Sequence, residues 1–236
     1  RVGIVSRGYG GHSDQYPLKV DSNTPASACG DEPRLLFNRT GCPVVVDPER
    51  KRAVASLIGE VDLVLSDDGL QHYAMARAAE LVVVDHERGF GNGWLLPMGP
   101  LREPRERLEG VDLVIRNGQD FVLQPQSLVN ASTGQSVDLL SLEGRVVHAV
   151  AGIGHPQRFF NTLQTLGMDV IAHPFGDHHP YSSTDLDFGD EYPIVMTEKD
   201  WVKCREFVGA NCWYLPVDAV LDRTTRHTLD SLLLTW

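Results

Sequence analysis

A chain of 236 residues with a formal net charge of −11 and 42% hydrophobic content can bury a sizeable core, as one large domain or two small ones. The acidic balance excludes broad non-specific nucleic-acid binding, which needs a basic face. No apolar run approaches the roughly 18 residues of a transmembrane helix, and no signal peptide is expected. Cys29, Cys42, Cys204 and Cys212 form neither a CxxC pair nor a zinc-type cluster, so reduced structural thiols are expected.

The first stretch, Arg1–Ser6, reads as a strand already under way, so an upstream segment is expected and the chain reads as N-terminally truncated. It runs into Arg7-Gly8-Tyr9-Gly10-Gly11, a turn whose glycines permit close backbone approach to a ligand, often a phosphate. Residues 17–28 read as loop with a short strand at Leu18–Val20. A helix is predicted from near Pro33, with Asp31 and Glu32 at its N-terminus. The two carboxylates there suit dipole complementarity, or a catalytic or metal-binding pair. A strand at 43–46 and a helix at 48–58 follow.

Val61–Leu65 then reads as a strand buried on both faces, closing in Ser66-Asp67-Asp68-Gly69. Carboxylates at the C-terminal edge of such a strand sit where open α/β sheets bind ligands, and an Asp there holds Mg²⁺ in phosphoryl-transfer enzymes. An Asp-Asp-Gly turn with a helix cap is the plainer alternative. Leu81–Asp85 is another strand. Strands alternating with helices at this spacing predict a parallel α/β sheet.

Residues 89–107 are punctuated by glycine and proline and read as loop. The loop carries Phe90, Trp94, Leu95, Leu96 and Met98 beside Arg102, Arg105 and Arg107, which suits an amphipathic substrate with an anionic head, or a core-packed loop with solvated charges. A strand at 111–116 is followed by short strands or hairpins over 121–142, a connector between two lobes. The second lobe reads as strands at 145–151, 168–173, 192–197 and 213–217, with helices at 157–166, from Glu198 and at 223–234. Adjacent His178 and His179 usually point apart, so one His oriented by a carboxylate, a general-base arrangement, is preferred to metal ligation. Lys199, at a strand C-terminus, suits a phosphate or a helix start.

Seven motifs in order, SRGYGG (6–11), GDEP (30–33), SDDGLQH (66–72), FGNGWLLPMGPLREP (90–104), AGIGHPQRFF (151–160), DHH (177–179) and TEKDWVKC (197–204), resemble the tetraacyldisaccharide 4′-kinase family of lipid A biosynthesis along nearly the whole chain. The resemblance implies a P-loop NTPase-like α/β/α parallel-sheet domain and a smaller C-terminal α/β domain joined by a short β linker. On this sequence the parts are 1–116, 117–144 and 145–236.

The implied reaction is transfer of the γ-phosphoryl group of ATP, with Mg²⁺, to the 4′-hydroxyl of a lipid disaccharide. The implied place is the cytoplasmic face of the Gram-negative inner membrane, as a peripheral protein with no nucleic acid and no obligate protein partner. Carried over, Asp67 and Asp68 are Walker-B-like carboxylates beside Mg²⁺, with Glu32 on the metal side and Gln71 and His72 nearby. Asp31, coupled to His178, is the base on the acceptor hydroxyl. Arg102 and Glu103 lie near the phosphates or the lipid head group, Arg102 and Lys199 toward the nucleotide. Ser6, Arg7, Gly8, Tyr9, Gly10 and His72 lie toward the acceptor.

The departure is that no Gly-Lys dipeptide, and hence no GxxxxGK[ST], occurs in the chain. That loop and a membrane-associating segment are expected upstream, so this stretch alone is expected to be inactive. A non-enzymatic sugar-lipid or membrane-surface module, and a metal-dependent hydrolase built on Asp67, Asp68, His178 and His179, are the alternatives.

Overall fold

The computed structural model describes residues 1–234. The last two residues of the 145–236 part lie outside the described residues. In chain order the elements are β1 (Val2–Ser6), β2 (Leu18–Lys19), α1 (Ala26–Cys29), α2 (Asp31–Thr40), β3 (Val44–Val46), α3 (Arg50–Leu57), β4 (Leu63–Ser66), β5 (Leu81–Asp85), β6 (Leu113–Asn117), β7 (Phe121–Pro125), β8 (Leu128–Asn130), β9 (Ser136–Val137), β10 (Val146–Ala151), α4 (Pro156–Thr165), β11 (Asp169–Pro174), β12 (Ile194–Thr197), α5 (Glu198–Cys204), β13 (Cys212–Leu215), β14 (Val217–Leu221) and α6 (Arg223–Leu233). They gather into two compact units: Arg1–Ala74 with Gln126–Pro216, and Met75–Pro125 with Val217–Trp236. The division into 1–116, 117–144 and 145–236 describes order along the chain.

The first unit holds two sheets. One has the order β2-β3-β1-β4, with β1 parallel to both β3 and β4. Alternation along β1 explains its layers. Ile4 packs with Val44, Val46 and the Leu36–Phe37 side of α2, while the next residue, Val5, packs with Val45, Ala53 and Leu57 of α3. A strand buried on both faces must be apolar at successive positions, as VGIVS is.

The second sheet has the order β11-β10-β12-β13-β8-β9. The pairs β10–β11, β10–β12 and β12–β13 are parallel; β8 closes antiparallel on β13. Val147, Ala149 and Ala151 face Phe159, Phe160 and Leu163 of α4. Spacing of 159, 160 and 163 makes one apolar helix stripe, and Pro156 opens α4 at a position where its missing N–H costs nothing. At about 1.5–3 kcal/mol per fully buried large side chain, this stripe is what fixes α4 to the sheet. Val150 and Met196 pack on the other face with Tyr181 and Cys204.

The second unit is built on the order β14-β7-β6-β5, with β14 antiparallel to β7. The single strand expected at 213–217 is two strands. Pro216 has no N–H to give to a ladder, so β13 stops at Leu215 and pairs with β12 and β8, and β14 starts at Val217 and pairs with β7. The strand expected at 61–65 to be buried on both faces is β4, which stands at the end of its sheet order with Leu65 half exposed. Other differences are smaller. The loop expected over 17–28 contains the one-turn helix α1, and a turn of 3-10 helix spans Ser183–Leu186.

Candidate active site

The site begins where β1 ends. Gly8 has φ +73°, and a Cβ there would stand 2.3 Å from Val46 Cγ1 and 2.8 Å from the Cys29 carbonyl oxygen. Gly30, φ +94°, sits equally close to the Tyr9 carbonyl. Only glycines let these two backbones pack this closely. That packing sets the start of α2 beside the loop 7–11, so Asp31, the first residue of α2, is buried there at 4% exposure. The glycine turn thus serves backbone–backbone contact in this structure; Tyr9 and Gly10 are exposed beyond it.

Asp31 is joined by a residue 147 positions away. His178 Nδ1 lies 2.9 Å from Asp31 Oδ2 and 3.1 Å from Oδ1. A carboxylate only accepts, so the proton of this bond resides on Nδ1, and in the neutral imidazole the lone pair is on Nε2. His178 has φ +58°, a left-handed conformation uncommon for a residue with a side chain and found preferentially at functional turns. The edge of Tyr9 meets its ring at 5.0 Å between centroids. His179 turns elsewhere, to Phe175, Tyr181 and Asp185, as expected for neighbouring histidines.

Two lysines of α5 complete the corner. Lys199 Nζ lies 3.0 Å from Glu32 Oε1, 3.7 Å from Asp177 Oδ1 and 3.8 Å from Asp31 Oδ2. Burial works against its ammonium; Asp31, Glu32 and Asp177 outweigh that, and its pKa is raised. Lys203 Nζ lies 3.9 Å from Asp31 Oδ2. Helix α2 is further tied to α5 by an Arg39–Glu198 ion pair. A cavity of about 330 Å³, lined among others by Gly10, Asp31, His178, Tyr181, Lys203 and Arg205, opens on this corner.

The second centre is the turn after β4. Ser6 Oγ donates to Asp67 Oδ2 at 2.9 Å. Buried Arg50 donates from Nη2 to the backbone carbonyls of Asp67 (3.0 Å) and Asp68 (3.1 Å), which fixes the turn. Asp68 has φ +46° and is exposed; Gln71 is exposed and His72 half-buried. Burial pushes the Asp67 carboxyl above its usual range, and the charges of Glu32 and Asp68 add to that against Ser6 and Arg50. A carboxylate held in this way, with a hydroxyl and a second carboxylate beside it, is an all-oxygen donor set suited to a hard divalent cation.

Asp31, Glu32 and His178 also bring three ligand atoms within 4.8 Å of one another. The Lys199 ammonium beside Glu32 already supplies positive charge there. Arg7 is exposed at the end of β1. Arg102 and Glu103 belong to the second unit, on the loop after Leu101, whose N–H bonds the Trp94 carbonyl.

Lys203 and Asp200 were missed by the reading of the sequence. Their signal was present: an Asp–Lys pair three apart, at the start of a helix that follows a buried strand, is a helix-face ion pair at the ligand edge of a sheet.

A parallel α/β fold with a carboxylate-oriented histidine, and with half-buried Asp67 and exposed Asp68 following a parallel strand, is the layout of a phosphoryl-transfer enzyme of P-loop NTPase type. The LpxK family, described as tetraacyldisaccharide-1-P 4′-kinase, matches residues 1–234. A tetraacyldisaccharide 4′-kinase of Pseudomonas fluorescens is 53% identical over 232 residues, covering 93% of this chain and 69% of the relative. One from Alkalilimnicola ehrlichii is 51% identical over 241 residues, covering 99% and 73%. The solved structure of LpxK from Aquifex aeolicus in complex with ATP superimposes with a TM-score of 0.81 and 26% identity, over all of this chain and 78% of that one. The chain belongs to the tetraacyldisaccharide-1-P 4′-kinase family. This favours the kinase over the binding-module and hydrolase readings.

Proposed function

We propose that the protein transfers the γ-phosphoryl group of ATP to the 4′-hydroxyl of a tetraacyldisaccharide 1-phosphate, a step of lipid A biosynthesis. The observation that carries the reading is the bond between His178 Nδ1 and Asp31 at 2.9 Å, which makes a base from two residues 147 positions apart within one compact unit. The acceptor oxygen bonds to the γ-phosphorus as the bond to the ADP oxygen breaks. The hydroxyl proton passes to the Asp31–His178 couple. Asp67 and Asp68 would hold Mg²⁺, which supplies charge neutralisation when bound.

Arg102 and Lys199 are assigned to the nucleotide side, with Gln71. Ser6, Arg7, Gly8, Tyr9, Gly10, His72 and Glu103 are assigned to the acceptor, and Glu32 to the metal side. The parts 1–116, 117–144 and 145–236 are assigned as kinase domain, linker and C-terminal domain.

The working place is the cytoplasmic face of the inner membrane, as a peripheral protein. Among the described residues no helix is long and apolar enough to cross a membrane. Exposed Trp94, Leu96 and Met98 support contact with acyl chains.

The test is an assay of the complete polypeptide with ATP, Mg²⁺ and the lipid disaccharide. Asp31→Ala and His178→Ala should each lower kcat by roughly 10²-fold or more, the scale of lost general-base assistance. Unchanged kcat in both refutes the assignment. The 236 residues by themselves, lacking GxxxxGK[ST], are expected to show no turnover.

A further inference from the structure

Lys203 is set more tightly than a helix-surface lysine. It follows Asp200 by one turn of α5, and its Nζ stands 2.9 Å from Asp200 Oδ1. Asp200 is fully buried, and its other oxygen accepts the Gly152 N–H at 2.9 Å and the Thr197 hydroxyl at 2.6 Å. The ammonium lies 4.9 Å from the centre of the Tyr181 ring, and the side chain is 11% exposed. Its other ion-pair partner is Asp31. Holding a four-carbon stem in one conformation costs rotamer entropy, and an exposed ion pair rarely offsets that. A cage of carboxylate, aromatic face and second carboxylate does.

The contacts form one chain of groups. The Gly152 N–H, at the end of β10, and the Thr197 hydroxyl, at the end of β12, fix Asp200. Asp200 fixes Lys203, Lys203 meets Asp31, and Asp31 orients His178. On Asp31 itself, Oδ1 accepts the Glu32 N–H at 3.0 Å. Lys199 also reaches Asp31 Oδ2, at 3.8 Å, but is shared with Glu32 and Asp177; Lys203, at 3.9 Å, has Asp200 and Asp31 alone as its ion-pair partners among the described residues.

We propose that Lys203, carried on buried Asp200, is a positioning residue for the phosphoryl-transfer base: it holds the Asp31 carboxylate where both oxygens meet His178 Nδ1. With the carboxylate so held, the Nδ1 proton stays on Asp31's side of the ring and Nε2 is left to take the hydroxyl proton. Lys203 touches neither reactant in this role. The inference rests on the kinase reading.

The experiment is a double-mutant cycle in the complete polypeptide, with ATP and a tetraacyldisaccharide 1-phosphate, over the parent, Lys203→Met, Asp31→Asn and the double variant. Lys203→Met should lower kcat by about 10–10²-fold and leave both KM values within about twofold, because it misplaces a group that acts in the transition state. In the Asp31→Asn background the same change should cost less than about twofold, since the residue it acts through is already disabled. Lys203→Arg should recover most of the loss.

Two results overturn the proposal: kcat of Lys203→Met within about threefold of the parent, or an equal loss in both backgrounds, as a purely structural role gives. If Lys203→Met does not fold by circular dichroism, the cycle is run with Lys203→Gln and judged by the same ratios. A parent that transfers no phosphate refutes the kinase reading. A parent that turns over, loses activity in His178→Ala and ignores Lys203 refutes this inference alone.

Discussion

Replacing Asp200 by Asn removes one charge and almost no volume. The cost comes from the surroundings of that charge. The carboxylate is fully buried, accepts from Gly152 and Thr197, and faces the Lys203 ammonium at 2.9 Å. The amide oxygen of Asn can keep both acceptor roles. Its NH₂ then points at an ammonium, donor against donor, and the cation is left largely buried without its main partner. Breaking a buried pair from one side costs about 3–5 kcal/mol. Taking about 3 kcal/mol, because Asp31 still lies 3.9 Å away, and about 2–4 °C per kcal/mol for a chain of this size, Tm should fall by roughly 6–12 °C.

Removing both charges strands neither. Asp200→Asn with Lys203→Met should therefore recover at least about half of the loss. Thermal melts by circular dichroism, with urea titration as the equilibrium check, measure both. A single-variant loss below about 1 kcal/mol, or a double variant as unstable as the sum of the two singles, would refute the account of the pair as a buried, coupled unit.

Other outcomes rest on the same physics. Burial and the neighbouring His148 hold the His173 imidazole below its usual pKa, with its Nε2 2.8 Å from His148 Nδ1. A depressed histidine pKa means the unfolded chain binds the proton first. Stability is therefore kept above about pH 6.5 and lost as pH falls through the folded value. His173→Gln should flatten the dependence of Tm on pH between about 5 and 6.5 relative to the parent; an unchanged slope would contradict it. At the carboxylate turn, Asp67→Asn should raise the Tm of the metal-free protein at neutral pH, because a half-buried charge is removed while Ser6 keeps an acceptor. In the complete polypeptide it should abolish turnover; a variant less stable than the parent would show that the buried charge is compensated.

What the sequence decided by itself was local. Successive apolar residues in VGIVS and VVHAVA can only be strands covered on both faces, and the 159, 160, 163 stripe can only be a helix on such a sheet. The place of Asp67 and Asp68, just past a strand C-terminus, was legible because the apolar run before them ends there.

The pairing of Asp31 with His178 was legible through whole motifs, not spacing, since nothing over 147 residues fixes a distance. Tertiary structure alone decided the rest. It split the last strand at Pro216 and sent β14 back to β7, a pairing set by which edge is open. It made Lys203 a caged residue: Asp200 is its neighbour one turn back on α5, but only folding brings Asp31 of α2 and the Tyr181 ring to the same ammonium. Periodicity states which face of an element is apolar. The cost of burying charge states which charges must meet there, and that cost exists only once the chain has folded.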